Sequence, residues 1–519
     1  MEGTIYSLIP AILMLLLVIV TRRVILSLGA GILVGALMLS DFHVLNALMD
    51  IWNIFAGIFV SDGALNTGNI YLLVFLLLLG MTTAFMTASG GSYAFGRWAI
   101  QKIKTRQGAQ GVPAILGVII FIDDYFNALA VGQVARPLTD RYKISRAKLA
   151  YFIDSTSAPV TVISPISSWG AYIIGTIGTI LAANEITDYQ ALEAFVKMIP
   201  ANFYVFAALL LVFMTAYLKV DIGPMRRHEK RAIETGELHA PGRADAPGDL
   251  DDEFETHHNG KIRHLLWPIL GLVLGTVGAM IWTGASAAEG SLDALAIFAN
   301  TNVNLSLFIG GLLAVLLAGV MYASQPQPKS RFFKVIVEGI KAMLPALYIL
   351  IFARVIGTVI GNLKTGEYLA QVIQDAAIAT AWLPLLIFIV SGGMALATGT
   401  SWGTFGIMLP IAGEIAAVTD IGLVLPALAA VLAGSVFGDH CSPISDTTVL
   451  SSTGAGANHI DHVLTQLPYA FIAAGAASLG YVVLGFTGHL IFALLATLAV
   501  VAITGIVLHV FTKNLKYDG

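Results

Sequence analysis

Residues 437–448 read FGDHCSPISDTT and stand in the middle of a long apolar run, 422–452. The stretch holds two aspartates, Asp439 and Asp446, on either side of Pro443. Proline removes a backbone donor and disrupts the helical turn before it, which frees carbonyl oxygens. An apolar run of this length is typical of a membrane span, and acids inside such a span are costly and usually functional. The stretch therefore predicts a membrane helix that is broken near its centre and lined with oxygen atoms.

A second long apolar run, 149–182, has the same features. It reads DSTSAPVT from Asp154 to Thr161 and continues to Ser164-Pro165. A proline kink patched by Ser and Thr would explain one such span, but two spans that each bury an aspartate favour a functional site. Carboxylate, hydroxyl and freed carbonyl oxygens are the ligands that a hard cation needs in place of water.

The composition of the whole chain indicates a membrane protein. Of its 519 residues, 57% are hydrophobic and 12% are charged, whereas soluble proteins carry about 25% charged residues. The net charge of -4 gives no basic surface for nucleic acid, and the single cysteine excludes an internal disulfide. The first apolar run, 5–20, has no basic residue before it, so we expect a retained span and not a signal peptide.

Apolar runs of about 17–25 residues predict transmembrane helices. The predicted spans are 5–21, 23–40, 69–89, 149–182, 199–219, 265–283, 303–323, 343–361, 422–452, 467–485 and 488–512. Two more apolar stretches, 112–134 and 383–413, are interrupted at their centres, which read FIDDYFN from Phe121 and ATGTSWGT from Ala397.

Basic residues in short loops mark the cytoplasmic side of a membrane. Arg22 and Arg23 follow the first span, which places the N-terminus outside, and Lys513 places the C-terminus inside. Basic residues flank 112–134 on both sides, at 97–106 and 136–148. We therefore predict that 112–134 enters and leaves the membrane from the cytoplasm as a re-entrant hairpin. If the hairpins were ordinary spans, the basic run 136–148 would lie outside.

The order of these segments divides the chain into two matching halves. Each half has two spans, an interfacial helix, a third span, a surface helix, a hairpin, a long broken span and a closing span. Five spans are an odd number, so the second half is predicted to be inverted relative to the first. Inverted repeats with broken helices are the architecture of secondary transporters, with the site at the midplane between the repeats.

The predicted fold class is therefore an all-α polytopic membrane protein with two inverted five-helix repeats and one extra C-terminal helix. The first repeat is predicted over 1–220, with hairpin 112–134 and broken helix 149–182, and a cytoplasmic hydrophilic linker follows over 221–264. The second repeat is predicted over 265–486, with hairpin 383–413 and broken helix 422–452. The extra C-terminal helix and the tail cover 487–519.

The candidate site residues are the acids at these breaks and the polar side chains beside them. For cation and proton binding they are Asp439, Asp446, Asp123, Asp124, Asp154, Ser442, Thr447, Ser157, Thr400, Ser401 and Asn127. Asp123 and Asp124 point about 100° apart on a helix, so one of them is expected to face the site while the other caps a half-helix. The centre of 383–413 has no acid, and it could also be a helix break without ligands.

Acids that share one cavity titrate as a coupled set, so a cation and a proton can displace each other there. Na⁺ held by Asp439, Asp446 and Asp154 would be a transported ion, and no resident cofactor is expected. This competition predicts cation/proton exchange at a single site.

Arg354 lies in the span 343–361 and is expected to pair with one of the aspartates. It could supply a counter-charge, anchor a carboxylate substrate or form a purely structural ion pair. Trp169 and Trp402 each follow a serine, and they could wall an organic substrate or simply pack. His459 and His462 could sense pH or lie in a polar loop. No four-ligand zinc spacing is present.

The stretch 437–448 resembles the signature of the NhaC family of sodium/proton antiporters. The stretch HIDHVLTQLPY, from His459 to Tyr469, resembles it as well, and 121–170 is similar to one branch of that family. The resemblance implies an ion-transporter-superfamily fold with paired re-entrant hairpins and a homodimer. The family also contains exchangers of organic acids and resembles amino-acid carriers, so the resemblance says more about mechanism than about substrate.

The leading functional prediction is sodium/proton antiport across the cytoplasmic (inner) membrane by alternating access, with membrane lipids and a small inorganic cation as partners. The alternative is a sodium- or proton-coupled carrier of a small organic ion, such as an amino acid or a hydroxy acid. A channel fits the inverted repeat less well than a carrier does. The sequence shows no motif of a zinc enzyme, a nucleophile elbow or a phosphate loop, so an enzyme is not predicted.

Overall fold

The fold is given by a computed structural model that describes most of the chain. It describes residues 1–519 apart from 22, 62, 92–93, 96–97, 99–101, 122, 166, 242–256, 258–259, 289–293, 327–329, 366, 369–370, 373–378 and 514–519. Arg22 and Arg97, which contributed to the predicted orientation, lie outside the described residues, as does the end of the predicted C-terminal tail.

Among its described residues, the first half of the chain forms α-helices and one two-stranded hairpin, in which Val60–Ser61 pairs antiparallel with Ala64–Leu65. Its α-helices are Ile9–Thr21, Val24–Leu39, Val44–Gly57, Thr67–Ala88, Arg106–Ile119, Asp124–Arg141, Arg146–Ile163, Ser168–Ala183, Ala191–Met198, Phe203–Leu218 and Gly223–Thr235. Short 3₁₀ turns cover Ile5–Leu8 and Ile199–Ala201.

The second half has a similar order of helices. Its α-helices are Arg263–Ala287, Ala294–Ala299, Val303–Ala323, Phe332–Asn362, Leu383–Thr398, Ser401–Thr419, Val424–Cys441, Asp446–Ala455, His459–Thr487 and Leu490–Lys513. Short 3₁₀ turns cover Thr380–Trp382 and Ile421–Leu423. The predicted interfacial helix and third span of this half form one continuous helix, Phe332–Asn362, whereas the first half separates the corresponding segments.

In the described part of the chain, ten helices are long and apolar enough to cross a membrane. The number of candidate spans rises to eleven if one bent pair of helices is counted as a single span. That pair, Ile25–Leu39 and Val44–Gly57, is bent by 118°. The first predicted span corresponds to the 3₁₀ turn Ile5–Leu8 and the helix Ile9–Thr21 that follows it. The chain is thus a multi-pass helical membrane protein.

Two helix pairs occupy the predicted hairpins. The first hairpin, Arg106–Ile119 with Asp124–Arg141, turns at 120–123, and the second hairpin, Leu383–Thr398 with Ser401–Thr419, turns at 399–400. Both arms of the second hairpin are among the ten helices of spanning length, the first of them together with the turn Thr380–Trp382 before it, while neither arm of the first hairpin is. The re-entrant path of both hairpins therefore stays a prediction.

Both predicted broken spans are interrupted, and both lie in the core. The first broken span is Arg146–Ile163 with Ser168–Ala183, and the second broken span is Val424–Cys441 with Asp446–Ala455. Three of these four helices, all except Ser168–Ala183, bury nearly every residue. By contrast the last helix, Leu490–Lys513, exposes many apolar side chains, as a lipid-facing helix does.

The break in the first span comes later than the stretch Asp154–Thr161. The helix runs through Pro159 and ends at Ile163, so Asp154 belongs to a continuous helix. The hydroxyls of Ser157 and Thr161 donate to backbone carbonyls three and four residues earlier, at 3.1 and 2.8 Å. These bonds add hydroxyl donors to the helix backbone on either side of Pro159, whose missing N–H removes the helical bond to the carbonyl of Ser155.

The predicted linker 221–264 contains a docked helix, Gly223–Thr235. Its Glu229 is completely buried and accepts a hydrogen bond from the backbone N–H of Ser145 at 2.8 Å. The same carboxylate lies 2.5 Å from Arg106 and 3.4 Å from Lys148. This charge cluster ties the docked helix to the starts of the first hairpin and the first broken span.

Candidate functional site

Asp124 joins the two halves of the chain. It is the first residue of its helix and is 2% exposed. Its Oδ1 accepts a hydrogen bond from Nε1 of Trp169 at 3.0 Å, and its Oδ2 accepts one from Oγ1 of Thr447 at 3.1 Å. Because Thr447 belongs to the second broken span, donors from both halves hold this carboxylate.

Asp123 and Asn127 order the turn of the first hairpin. Oδ1 of Asp123 accepts the backbone N–H of Phe126 at 2.9 Å, so it caps the helix as predicted for one of the two adjacent acids. Nδ2 of Asn127 donates to the carbonyls of Gly117 and Ile120, both at 2.6 Å. Oδ1 of Asn127 is buried, and none of the residues described in the structure donates a hydrogen bond to it. Asn127 lies three residues after Asp124, so both side chains are on the same face of the helix.

Asp439 lies in the last turn of the helix Val424–Cys441, the first part of the second broken span, and contacts the second hairpin. Its Oδ2 accepts a hydrogen bond from Oγ of Ser401 at 2.7 Å. Its Oδ1 is buried and accepts no hydrogen bond from the described residues, although the side chain of Ser445 also interacts with this carboxylate. Ser401 therefore holds one oxygen of Asp439 directly, and Ser445 lies beside the same carboxylate.

Asp154 lies at the centre of a polar cluster. Its side chain is completely buried, and four side chains from the second half donate to it. They are Thr448 at 3.3 Å, His462 at 3.1 Å and Gln466 at 2.6 Å, all to Oδ2, and Ser451 at 3.2 Å to Oδ1. The cluster joins the first broken span to the second broken span and to the helix His459–Thr487.

Asp446 and Arg354 form a loose ion pair. Oδ2 of Asp446 accepts the hydroxyl of Tyr125 at 3.0 Å and lies 3.8 Å from Nη2 of Arg354. Nη1 of Arg354 donates to Oδ1 of Asn69, while Nε is buried and has no partner among the described residues. The aspartate expected beside Arg354 is thus Asp446, and both side chains are 25% exposed.

A cavity of about 580 Å³ surrounds this ion pair. Its polar lining comes from Asn69, Tyr125, Arg354, Thr358, Thr398, Thr400 and Asp446, and its apolar wall includes Ile54, Ile58, Ala353, Trp402 and Ile444. We call it the ion-pair cavity. Its size is in the range of roughly 300–1,000 Å³ that is usual for pockets that bind small molecules.

The turn of the second hairpin packs closely against the second break. Gly399 has φ +73°, a left-handed conformation that glycine adopts without strain. A Cβ at this position would come within 2.4 Å of Cγ1 of Ile444. Oγ of Ser442 donates to the carbonyl of Leu396 at 2.9 Å, which fixes the break to the same hairpin.

The other predicted oxygen ligands have local structural contacts. Oγ1 of Thr400 accepts the backbone N–H of Trp402 at 3.2 Å and so caps the helix Ser401–Thr419. Ser157 donates to the carbonyl of Asp154 at 3.1 Å. These hydroxyls hold the backbone around the site, and their roles as ligands remain predictions.

Trp169 and Trp402 contact each other, with their ring centroids 5.6 Å apart. Trp169 is 1% exposed, and its indole N–H donates to Asp124, so it holds that carboxylate in position. Trp402 lines the ion-pair cavity. The structure thus gives the two tryptophans different surroundings, although the sequence places both after a serine.

His459 and His462 are buried in the core, so the alternative of a polar loop is wrong for both. Nε2 of His459 contacts the carbonyl of Pro443 at 2.7 Å, and its Nδ1 contacts Oγ of Ser452 at 3.2 Å. His462 contacts Asp154, as described above. The helix that begins at His459 places its first turn inside the bundle, a position that local sequence does not reveal.

Asp439 interacts electrostatically with Asp124, Asp154 and Asp446, so the acids of both halves share one region. Within the residues that the structure describes, no three His, Cys, Asp or Glu side chains converge as a metal-binding group. A cation here would be held by fewer carboxylates together with hydroxyl, amide and carbonyl oxygens. The joint ligation of sodium by Asp439, Asp446 and Asp154 stays a prediction.

Several contributors were missed in the sequence. Thr448, Ser451 and Gln466 enclose Asp154, and Tyr125 and Asn69 hold the ion pair. Gln466 lies four residues after His462, a spacing that puts both on one helix face and could have indicated a shared partner. Asn69 lies near the start of an apolar span and has no comparable signal.

Comparison with known proteins decides the family. A sequence model described as "Na+/H+ antiporter family" matches residues 160–486, which is more than half of the chain. The chain belongs to the Na+/H+ antiporter family. The predicted family resemblance is therefore confirmed, and the chain is a secondary transporter and not an enzyme.

Three relatives are similar over different lengths. A Haemophilus influenzae protein named "Uncharacterized protein" is 46% identical over 490 residues, which are 94% of this chain and 92% of the relative. A Bacillus subtilis protein named "Malate-2H(+)/Na(+)-lactate antiporter" is 32% identical over 196 residues, 37% of this chain and 39% of the relative. A second Haemophilus influenzae protein, named "Uncharacterized Na(+)/H(+) antiporter", is 36% identical over 143 residues, 26% of this chain and 30% of the relative.

Proposed function

We propose that the chain exchanges sodium for protons across the cytoplasmic membrane by alternating access. The observation that carries the proposal is the set of buried carboxylates that both halves bring to one region, above all Asp124, Asp154 and Asp439. Buried acids within a membrane are rare and mark ion pathways and proton relays. Because a cation and a proton neutralise the same carboxylate, they compete for it, and this competition couples the two fluxes.

Asp439 is the best candidate for the shared cation and proton site. Its Oδ2 is held by Ser401, while its buried Oδ1 has no hydrogen-bond partner among the described residues. Asp154 differs because four donors already satisfy its two oxygens. We infer that Asp154 supplies fixed negative charge and holds the elements together, while Asp439 exchanges its ligand.

The proposed architecture is a pair of inverted repeats with the site between them. The matching order of helices in the two halves supports it, as does the contact of Asp124 in one half with Thr447 in the other. The N-terminus would lie outside and the C-terminus in the cytoplasm, with the two hairpins entering from opposite sides. A homodimer is part of the proposal through the family resemblance.

Proteoliposomes with a pH-sensitive dye inside test the exchange. A sodium gradient should drive proton movement in the opposite direction, with a flux that saturates as sodium increases. Asp439→Asn should abolish the exchange, whereas Glu193→Gln, which changes an exposed acid, should not. Absence of any sodium- or lithium-driven proton flux across the range from mildly acidic to mildly alkaline pH would reject the proposal.

A second candidate function is a sodium- or proton-coupled carrier of a small organic ion. The ion-pair cavity favours it, because an inorganic cation alone would not need a guanidinium such as that of Arg354 in its path. The partial similarity to a relative named for malate and lactate is compatible with it. This candidate would be supported if an organic solute raised the melting temperature of the protein only in the presence of sodium.

A further inference from the structure

We infer that the ion-pair cavity binds a zwitterionic solute, of the α-amino acid class, in preference to an organic anion or an organic amine. The inference rests on the second proposed function and specifies its substrate class. It starts from the charges of the cavity: among its described lining residues, Arg354 is the one cation and Asp446 the one carboxylate.

The charge balance of the cavity selects the net charge of its ligand. Arg354 and Asp446 together contribute no net charge. An organic monoanion bound to Arg354 would leave the carboxylate of Asp446 without a compensating positive charge. An organic amine bound to Asp446 would leave the guanidinium of Arg354 without a compensating negative charge. An uncompensated charge in a partly buried site is costly. A zwitterion supplies a carboxylate to Arg354 and an ammonium to Asp446, so each charge of the cavity gains a partner.

The ion pair is loose enough to admit such a ligand. Its Nη2 to Oδ2 distance of 3.8 Å is longer than a hydrogen bond. Asn69 accepts from Nη1, but Nε has no partner among the described residues, and a guanidinium offers five donors in all. Tyr125 donates to Oδ2 of Asp446, and no described residue donates to Oδ1. Both charged groups therefore have unused hydrogen-bonding capacity.

The side chains around the ion pair define the rest of the ligand. Ile54, Ile58, Ala353, Ile444 and Trp402 form an apolar wall on the same cavity. Apolar area buried on binding stabilises a complex, so a ligand with an aliphatic side chain should bind better than glycine. The volume of about 580 Å³ accommodates one such amino acid together with water.

Three ligands of nearly equal shape test the inference on the purified protein in detergent. Leucine carries both charges, its 2-hydroxy acid analogue keeps the carboxylate only, and 3-methylbutylamine keeps the ammonium only. Titration calorimetry should give the tightest binding for leucine. The affinities of the two analogues should be lower by at least about ten-fold, which is the loss expected for one charge-assisted interaction. Equal or tighter binding of the hydroxy acid would overturn the inference, as would no binding of leucine at millimolar concentration.

Charge-removing variants provide the second arm of the test. Asp446→Asn leaves Arg354 as the sole charge, so the hydroxy acid should now bind at least as well as leucine. Arg354→Gln should shift the preference toward the amine. Retained binding of the favoured analogue shows that each variant is folded, and an unchanged preference for leucine in both would overturn the inference. Glu193→Gln and Lys197→Gln remove the charges of an exposed ion pair outside the cavity and should change nothing.

Sodium-driven proton flux, measured on the same preparation without any organic solute, separates the two functions. Flux without leucine binding would retain the antiport and reject the zwitterion site. Leucine binding without solute-free flux would favour the coupled carrier.

Discussion

Nε2 of His462 lies 3.1 Å from Oδ2 of Asp154, and both side chains are completely buried. The two residues are more than 300 positions apart in the chain and come from different halves. Their contact belongs to a cluster in which the four described donors to the Asp154 carboxylate all come from the second half. The stability of the bundle and the arrangement of its site therefore depend on the same carboxylate.

Asp154→Asn should destabilise the protein and stop transport. The amide would present a donor to neighbours that are donors themselves, and the charge-assisted hydrogen bonds would be lost, at a cost of roughly 2–4 kcal/mol. Thermal unfolding in detergent measures the first effect and proteoliposome flux the second. A variant with unchanged melting temperature and unchanged flux would show that the cluster is dispensable.

Trp169→Phe should weaken sodium dependence without unfolding the protein. The substitution removes the hydrogen bond to Asp124 but keeps an aromatic ring against Trp402. We expect an increase of about five- to ten-fold in the sodium concentration at half-maximal flux, in line with the loss of one hydrogen bond to a charged group. Trp282→Phe, at an exposed position, is the matched control. An equal effect in both variants would contradict a specific role for Trp169.

Glu229→Gln should lower stability more than the loss of a surface acid. Glu229 is enclosed by Arg106, Lys148 and the N–H of Ser145. Removal of one partner from a buried ion pair costs about 3–5 kcal/mol, whereas the exposed Glu193–Lys197 pair is worth about 0–1 kcal/mol. The melting temperatures of Glu229→Gln and Glu193→Gln give the comparison, and similar values for both would contradict the buried cluster.

The predicted membrane orientation can be tested with single cysteines. Replacement of the one native cysteine, Cys441, by alanine gives a cysteine-free background. A cysteine at the exposed position 143 should react with an impermeant reagent only from the cytoplasmic side, and one at the exposed position 188 only from the outside. If the first hairpin instead crosses the membrane, position 143 will react from the outside.

Sequence alone predicts much of the helical framework, because the apolar runs are long and hydrophobic patterns determine membrane spans directly. The span predicted at 303–323 coincides with the helix Val303–Ala323. Helix breaks are harder to predict: Pro159 lies inside a continuous helix, while Ser164-Pro165 and Pro443 lie in the true breaks.

The acids of the site were also predictable, since carboxylates within apolar spans are conspicuous. Their partners were not. Gln466 and Asn69 are ordinary polar residues in the sequence, and only tertiary packing places them beside Asp154 and Arg354. For the same reason the spacing of the acids could not show that Asp446 lines the ion-pair cavity while Asp154 does not. Local patterns indicate which residues are costly to bury, but long-range contacts decide what compensates them.

The absence of a side chain at Gly399 has a mechanical consequence. Because the turn of the second hairpin fits directly against Ile444, with Ser442 anchored to Leu396, neither element can slide past the other without a steric clash. If this hairpin moves during the transport cycle, the break at Ser442 and Ile444 has to move with it. The helix that begins at Asp446 packs against the first half instead, so such a motion would bend the chain between Ile444 and Asp446.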